Sequence, residues 1–292
     1  MTRPAAAGRA GRAGLLVPLY VHPATDPGAW AALVAAAPRL RAVVLNAADG
    51  PGRLPDPAFA EAAARLRGAG VPVLGYVDTA YGNRPAREIV GDVRRHRRWY
   101  GVDGVFLDQA AAGPGALPHY RRLVRLARAL GAGTAVLNPG THPDPGYARV
   151  ADVLVTFEGG WEAYRTAGVP AWTADHPPER FCHLVHGVPE EHTALVARTA
   201  ERRGAAVHCA VPGTGANPWR SVPGDGTGAA RTDPGAARET APGPGTGPEP
   251  GPVTGPEARR GPVPEPGTAP GTAPGSATDT APAHAPEREG AR

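Results

Sequence analysis

A strand, a helix and a second strand follow one another in residues 71–109, VPVLGYVDTAYGNRPAREIVGDVRRHRRWYGVDGVFLDQ. The apolar runs Val71–Val77 and Gly104–Leu107 are typical of buried strands. Between them, apolar positions such as Ile89 and Val93 recur at helical spacing. Strands joined through a helix run parallel in one sheet, so this unit predicts an α/β fold.

The same unit repeats along most of the chain. Helical patterns at Pro27–Pro38, Asp56–Arg67 and Leu117–Leu130 separate further apolar runs. In total, eight runs are predicted to be strands: Leu15–Val21, Ala42–Asn46, Val71–Val77, Gly104–Leu107, Thr134–Asn138, Val153–Phe157, Phe181–His186 and Ala205–Val211. Eight strand-helix repeats in about 200 residues predict a single-domain (β/α)8 barrel of the TIM type. A doubly wound open sheet is the alternative. The sequence has no GxGxxG motif after the first strand and no P-loop, which argues against the nucleotide-binding version of that fold.

The ends of the chain differ in composition from this body. Residues 224–292 contain 14 Gly and 14 Pro and no aromatic residue. Such a segment buries too little apolar surface to offset the loss of chain entropy on folding, so disorder is predicted. The sequence is therefore divided into a disordered N-terminal segment, residues 1–14, a barrel, residues 15–223, and a disordered low-complexity tail, residues 224–292.

The basic character of the chain raises the question of a polyanion partner. The formal net charge is +4, and all 31 basic residues are arginines. The densest cluster, Arg94, Arg95, Arg97 and Arg98, falls on a predicted helix. No aromatic residues alternate with these arginines to stack on bases, so a solvated helix face is favoured and no nucleic-acid partner is predicted.

Cysteines and apolar runs indicate the environment of the protein. Cys182 and Cys209 lie in two apolar strands without CxxC spacing, so buried thiols are predicted, with a disulfide as the geometric alternative. No run of 18 apolar residues indicates a membrane span. No secretion signal is visible, which predicts a cytoplasmic protein, whereas a start codon further upstream would imply secretion. We expect a monomer.

In such a barrel, the functional groups lie at the carboxyl ends of the strands. The polar and aromatic residues at these ends are Tyr20, His22, Asn46, Asp49, Tyr76, Asp78, Tyr81, Asp108, Gln109, Asn138, Glu158, His186, Asn217 and Trp219. The set contains neither a Cys or Ser nucleophile with a partner base nor metal-binding His spacing, so no metal or organic cofactor is predicted. Paired carboxylates and aromatic faces indicate carbohydrate chemistry, because they protonate a leaving oxygen, stabilise an oxocarbenium centre and stack on sugars.

Most of these residues are candidates for binding substrate, and several have a structural alternative. The candidates are Tyr20, His22, Asn46, Tyr76, Asp78, Tyr81, Gln109, Asn138, His186, Asn217 and Trp219. The two asparagines after strands could instead tie down their own loops, and the two histidines are more typical of hydrogen-bonded rim residues than of catalytic bases. Tyr76 and Tyr81 could plug the top of the barrel, Trp219 could cover the barrel end, and Asp78 could bond to Arg84 or Tyr81.

Several strand-end segments together resemble the spherulation-specific family 4, the spherulin 4-like proteins. They are LLVPLYVHP at 15–23, VVLNAADGPG at 43–52, VPVLGYVDTAYGNR at 71–84, WYGVDGVFLDQ at 99–109, VLNPG at 136–140, ADVLVTFEG at 151–159 and NPW at 217–219. This barrel family includes glycoside hydrolases that cleave α-1,4-linked N-acetylgalactosamine polymers. The resemblance implies that Asp108 and Glu158 form a catalytic pair acting on an amino-sugar-containing polysaccharide or oligosaccharide.

One position departs from the family pattern. Active members carry Glu directly after the aspartate, whereas this chain has Gln109, and an amide neither gives up a proton nor carries charge. If that Glu were a reacting group, this chain would be a weak enzyme or a catalytically silent carbohydrate-binding barrel. If the pair is Asp108 and Glu158, activity survives. The second possibility is favoured because alternation along a strand directs only one of two adjacent residues into the mouth.

Overall fold

The computed structural model describes residues 13–224, and within them eight parallel strands form a closed barrel. The strands are β1 (Gly14–Leu19), β2 (Leu40–Leu45), β3 (Val73–Asp78), β4 (Gly104–Asp108), β5 (Thr134–Leu137), β6 (Val153–Gly160), β7 (Phe181–His186) and β8 (Val207–Ala210). Each strand pairs with its neighbours in chain order, and β1 closes the barrel by pairing with β8. The predicted (β/α)8 barrel is confirmed, and the open sheet was the wrong alternative.

Six α-helices connect these strands: α1 (Pro27–Ala35), α2 (Pro57–Gly68), α3 (Ala86–Tyr100), α4 (Leu117–Ala129), α5 (Trp161–Thr166) and α6 (Thr193–Arg202). The helices α1 and α2 begin with the same local signal, an aspartate followed by a proline. Asp26 accepts a hydrogen bond from the Ala29 amide, and Asp56 accepts one from the Ala58 amide, each at 2.8 Å. These carboxylates satisfy amide groups that the first helical turn leaves unpaired.

The prediction of a helix after every strand is wrong at two places in residues 13–224. A 3-10 turn at Pro145–Arg149 replaces the helix between β5 and β6, and another at Pro218–Arg220 follows β8. The first connection contains Pro139, Pro143 and Pro145, and proline interrupts helical hydrogen bonding. At both places, a short turn therefore takes the place of a helix in the outer ring.

Alternate side chains of each strand fill the barrel interior. Near the amino ends of the strands they surround a cavity of about 10 Å³, lined by Leu16, Arg41, Ala42, Leu74, Thr134, Val136, Val153 and Val207. Two residues further along β3 and β4, the rings of Tyr76 and Phe106 stack with centroids 6.4 Å apart. Because every second side chain of a strand points to the same face, Asp78 and Asp108 come next, at the mouth.

A β-bulge in β6 changes this alternation. Val155 pairs with Cys182 but Phe157 pairs with His183, so Thr156 is an extra residue in the strand. Without it, regular alternation from Val153 and Val155 would turn Phe157 into the barrel and Glu158 away from it. With the bulge, Phe157 packs outside the barrel against the cluster around α5, and Glu158 lies in register with the interior residue Leu184.

A close helix-to-strand contact beneath the mouth depends on one glycine. A Cβ atom added to Gly75 in β3 would lie 2.5 Å from the ring of His96 in α3. The His96 Nε2 atom lies 2.7 Å from the Tyr76 carbonyl oxygen. Because a carbonyl oxygen only accepts hydrogen bonds, Nε2 is the protonated ring nitrogen and donates this bond. The glycine therefore lets α3 approach β3 closely.

Other expectations from the sequence are tested by burial. Cys182 and Cys209 are both buried free thiols, so the predicted thiols are confirmed and the disulfide alternative is not formed. On α3, Arg94, Arg95 and Arg98 are exposed, as a solvated helix face requires, and Arg97 is half-buried. None of the helices in residues 13–224 is both long and apolar enough to cross a membrane. Apart from residues 13, 14 and 224, the segments predicted to be disordered lie outside the described residues.

Candidate active site

Two carboxylates and one amide meet at the mouth of the barrel. Asp108 ends β4, Asn138 follows β5, and Glu158 lies beyond the bulge in β6. The Asn138 Nδ2 atom donates a hydrogen bond of 2.6 Å to Asp108 Oδ1 and a second one to Glu158 Oε2. Two oxygens within hydrogen-bond distance of one nitrogen are no more than about 5 Å apart. The structure therefore brings the two predicted catalytic carboxylates together.

The backbone after β5 determines how the Asn138 amide is oriented. Its oxygen accepts a hydrogen bond from the Gly140 amide at 3.0 Å, and the Gly140 carbonyl in turn accepts one from the Glu158 amide at 3.0 Å. Because Oδ1 must face an N–H group, Nδ2 faces the carboxylates. Asn138 is buried, with 4% of its surface exposed, so its contacts fix the geometry of the pair.

A tryptophan holds the other oxygen of Glu158. The Trp219 Nε1 atom donates a hydrogen bond of 3.1 Å to Glu158 Oε1. Its ring is buried and lies at a right angle to the His186 ring, with centroids 6.0 Å apart. Trp219 was predicted to be a substrate-binding aromatic residue, and the structure shows it buried in the turn after β8, as a hydrogen-bond donor to the carboxylate.

The two carboxylates differ in their acidity. Burial, followed by repulsion from Asp108, raises the pKa of Glu158 from 4.5 to about 7, against the opposing effect of its hydrogen bonds from Asn138 and Trp219. Burial also raises the pKa of Asp108, while hydrogen bonds from Tyr76, the Gln109 backbone and Asn138 oppose that rise. Glu158 is therefore the group of the pair that retains a proton near neutral pH.

Two tyrosines lie beside the pair. The rings of Tyr20 and Tyr76 meet edge to face, with centroids 5.6 Å apart. Burial and then the negative charge of Asp108 raise the pKa of both hydroxyls, and Glu158 adds to the effect on Tyr20. Both rings stay neutral at physiological pH and act there as hydrogen-bond donors and apolar surfaces.

The loop after β3 packs directly on the residue that follows Asp108. The Thr79 hydroxyl donates towards the carbonyl oxygens of Asp108 and Gln109, each at 2.8 Å, and the Tyr81 amide donates to the Gln109 carbonyl at 2.7 Å. Gln109 itself has a φ of 48°, which ends the strand. Its half-buried side chain has no hydrogen-bond partner within residues 13–224. The Asp78 carboxylate caps this loop by accepting from the Ala80 amide at 2.7 Å.

Other candidates are bound to neighbouring structure and not to the carboxylate pair. His22 Nε2 lies 2.9 Å from Asp56 Oδ2, and its Nδ1 atom accepts from the Ala24 amide. Asn46 accepts from the Gly50 amide at 2.9 Å, so it ties its own loop. Asn217 donates to the Tyr20 carbonyl at 3.0 Å and caps the turn that carries Trp219. Arg84 bonds the backbone oxygen of Asp78, not its carboxylate.

Two residues that shape the site, Thr79 and Tyr120, are not among the polar strand-end residues predicted from the sequence. Thr79 and Tyr120 hold the mouth loops, since their hydroxyls lie 2.9 Å apart and the Tyr120 hydroxyl also accepts from the Ala111 amide. Tyr120 belongs to the apolar stripe of α4, where nothing in its spacing distinguishes it from a core residue. Within residues 13–224, no three His, Cys, Asp or Glu side chains are grouped to hold a metal ion.

The closed parallel strands, with the half-buried carboxylates at their carboxyl ends, define a TIM-type α/β barrel. The sequence profile of the spherulation-specific family 4 matches residues 14–225. The chain therefore belongs to this family, which confirms the resemblance noted in the sequence.

Two relatives illustrate the extent of the similarity. Spherulin-4 of Physarum polycephalum is 34% identical over 149 residues, which are 49% of this chain and 44% of that protein. The alignment thus spans less than half of Spherulin-4. The structure of Sph3 from Aspergillus clavatus, solved in complex with GalNAc, superposes with a TM-score of 0.61 at 26% identity, covering 74% of this chain and 95% of Sph3.

Proposed function

We propose that this protein is a glycoside hydrolase that cleaves an internal bond of an amino-sugar-containing polysaccharide of the α-1,4-linked N-acetylgalactosamine or galactosamine type. The observation that carries the proposal is the carboxylate pair, Asp108 and Glu158, bridged by one amide nitrogen. The substrate class is supported by the spherulin 4-like family, which includes hydrolases of such polymers, and by the GalNAc bound to Sph3.

The two carboxylates take different roles in the proposed reaction. Glu158, with its pKa of about 7, donates a proton to the glycosidic oxygen as the bond from that oxygen to the anomeric carbon breaks. Asp108 either attacks the anomeric carbon or stabilises an intermediate formed by the 2-acetamido group of the substrate. Water then hydrolyses the intermediate and returns a proton to Glu158.

The separation of the pair favours retention of configuration. Retaining enzymes have carboxyl groups about 5–5.5 Å apart, whereas inverting enzymes need about 6.5–9.5 Å to admit a water molecule. The shared Asn138 nitrogen keeps the nearest oxygens no more than about 5 Å apart. We therefore expect products that keep the anomeric configuration of the substrate.

A second candidate function is a carbohydrate-binding barrel that has lost turnover. The observation in its favour is Gln109, the amide at the position where active family members carry Glu. Its side chain has no hydrogen-bond partner in residues 13–224, which leaves it free to bond a sugar hydroxyl or acetamido group. In this case the pocket would bind oligosaccharides without cleaving them.

Product release from N-acetylgalactosamine and galactosamine polymers distinguishes the two functions. We would compare the wild-type protein with Asp108→Asn, Glu158→Gln and Gln109→Glu, using reducing-end release and thermal unfolding as readouts. Release by the wild type, abolished in the first two folded variants, supports the enzyme. No release by the wild type, together with release by Gln109→Glu, supports the binding protein and contradicts hydrolysis as the present function.

A further inference from the structure

Tyr81 presents a large aromatic side chain to solvent beside the mouth. It is 61% exposed, although most aromatic side chains of residues 13–224 are buried or half-buried. Within that range its ring contacts no other ring, and its hydroxyl has no hydrogen-bond partner. The packing of the barrel therefore gives no reason for an aromatic residue here.

The backbone at this position is also unfavourable for tyrosine. Ala80 and Tyr81 have φ angles of 45° and 54°, in the left-handed region. Asn and Gly adopt this conformation at lower cost than residues with bulky side chains. An exposed tyrosine held in such a conformation adds strain without burying apolar surface, and strained residues of this kind cluster at ligand sites.

Hydrogen bonds fix the position of the Tyr81 loop relative to the carboxylate pair. The Tyr81 amide donates to the carbonyl oxygen of Gln109, the residue next to Asp108. The Thr79 hydroxyl bridges the carbonyl oxygens of Asp108 and Gln109. The loop that carries the ring is therefore hydrogen-bonded to the end of β4, next to Asp108.

We propose that Tyr81 is the platform of an outer sugar-binding subsite, which holds a unit of the polymer beyond those at the scissile bond. An exposed tyrosine ring offers an apolar face to the C–H groups of a sugar and a hydroxyl to its polar edge. The inference rests on the proposed function, because it takes the same polysaccharide as its ligand. The platform makes binding and cleavage depend on chain length.

Oligosaccharides of N-acetylgalactosamine, short and long, test this subsite in three variants. Tyr81→Asn removes the ring and tolerates the left-handed backbone, Tyr81→Phe keeps the ring, and Val169→Ala removes an exposed apolar side chain between α5 and β7. Because Tyr81→Asn removes the apolar face on which the sugar unit packs, we expect roughly tenfold lower kcat/KM on long chains, which corresponds to about 1.4 kcal/mol. Val169→Ala and cleavage of the shortest substrates should change less than about twofold, and Tyr81→Phe, which keeps the ring face but loses the hydroxyl, should lose less activity on long chains than Tyr81→Asn.

Binding measurements separate failure of this inference from failure of the proposed function. The Tyr81 variants are combined with Glu158→Gln, and their affinity for the long oligosaccharide is measured by calorimetry. Roughly tenfold weaker binding for Tyr81→Asn supports the subsite even if the wild type cleaves nothing. Unchanged affinity and unchanged kcat/KM on long chains, or an equal loss on short and long chains, would overturn it.

Discussion

At the scale of single residues, the chemistry depends on how Glu158 keeps its proton. Its pKa of about 7 results from burial and from Asp108, and two N–H donors oppose that rise. Because each donor stabilises the ionised carboxylate, removing one should raise the pKa further. The donors therefore adjust the pH at which the group can act as an acid.

A pH profile tests this role. We expect kcat/KM to fall on the alkaline side with an apparent pKa of about 7, because the general acid must be protonated. Trp219→Phe, which removes the indole N–H, should move this limb to higher pH by roughly half a unit to one unit. Trp172→Phe, in a turn before β7, is the matched control and should leave the limb in place. An identical limb in Trp219→Phe and wild type would contradict the role of the indole.

Asn138 is the second residue whose substitution tests the proposed reaction. Asn138→Ala deletes the nitrogen that bridges the carboxylates, so they repel each other without a shared donor. Misplacing reacting groups by about 1 Å costs about 100-fold in rate, and we expect a loss of this size in kcat with a smaller change in KM. Steady-state kinetics on a variant shown to be folded by circular dichroism provide the measurement. A kcat equal to that of the wild type would show that the bridge is dispensable.

At the scale of elements, the bulge in β6 is the feature that points Glu158 into the barrel. The extra residue, Thr156, is 1% exposed, and its hydroxyl has no hydrogen-bond partner in residues 13–224. A buried hydroxyl without a partner costs about 1–3 kcal/mol. The bulge therefore lowers the stability of the fold while it directs Glu158 into the barrel, as is common for bulges next to active sites.

Thr156→Val should therefore stabilise the protein by about 1 kcal/mol, since valine keeps the shape and removes the unpaired hydroxyl. Chemical denaturation gives the free energy of unfolding. The matched control is Thr173→Val, because the hydroxyl of Thr173 donates to the Pro170 carbonyl at 2.9 Å and its loss should destabilise the fold. Equal destabilisation of both variants would contradict the assignment of an unpaired hydroxyl to Thr156.

At the scale of the whole molecule, buried histidines couple folding to pH. Burial lowers the pKa of His96 to about 4, and burial followed by nearby positive charges lowers that of His183 to about 3. The unfolded chain binds a proton at each histidine near pH 6.5, so it binds more protons than the folded chain below that pH. Each histidine therefore makes stability fall as pH falls from about 6.5 towards its folded pKa.

Glu158 acts in the opposite direction between pH 4.5 and 7, because its raised pKa makes the folded chain bind the extra proton. A comparison of variants isolates the histidine contribution. The free energy of unfolding of His96→Gln should vary less with pH between pH 6 and 4.5 than that of the wild type, by about 1.4 kcal/mol per pH unit. Parallel curves for the two proteins would show that His96 is not kept neutral by the fold.

The sequence alone determined the barrel and the identity of its polar rim. Apolar runs alternating with helical stripes specify parallel strands, and the carboxyl ends of such strands meet at one end of a barrel. Asp108 and Asn138 were therefore correctly placed at the mouth from their position after the runs of β4 and β5. The helical patterns at Pro27–Pro38 and Asp56–Arg67 likewise predicted where α1 and α2 lie.

Only the tertiary structure decided which rim residues meet and what each of them bonds. The inward orientation of Glu158 depends on an extra residue in β6, and strand alternation read from the sequence cannot locate it without the partner strand β7. Trp219, in the turn after β8, donates a hydrogen bond to Glu158 in β6. His22 instead bonds to Asp56, outside the carboxylate pair. Such contacts arise from the order of strands in the barrel, in which β1 lies beside β2 and β8 lies two strands from β6. This order brings together side chains that sequence spacing leaves unrelated.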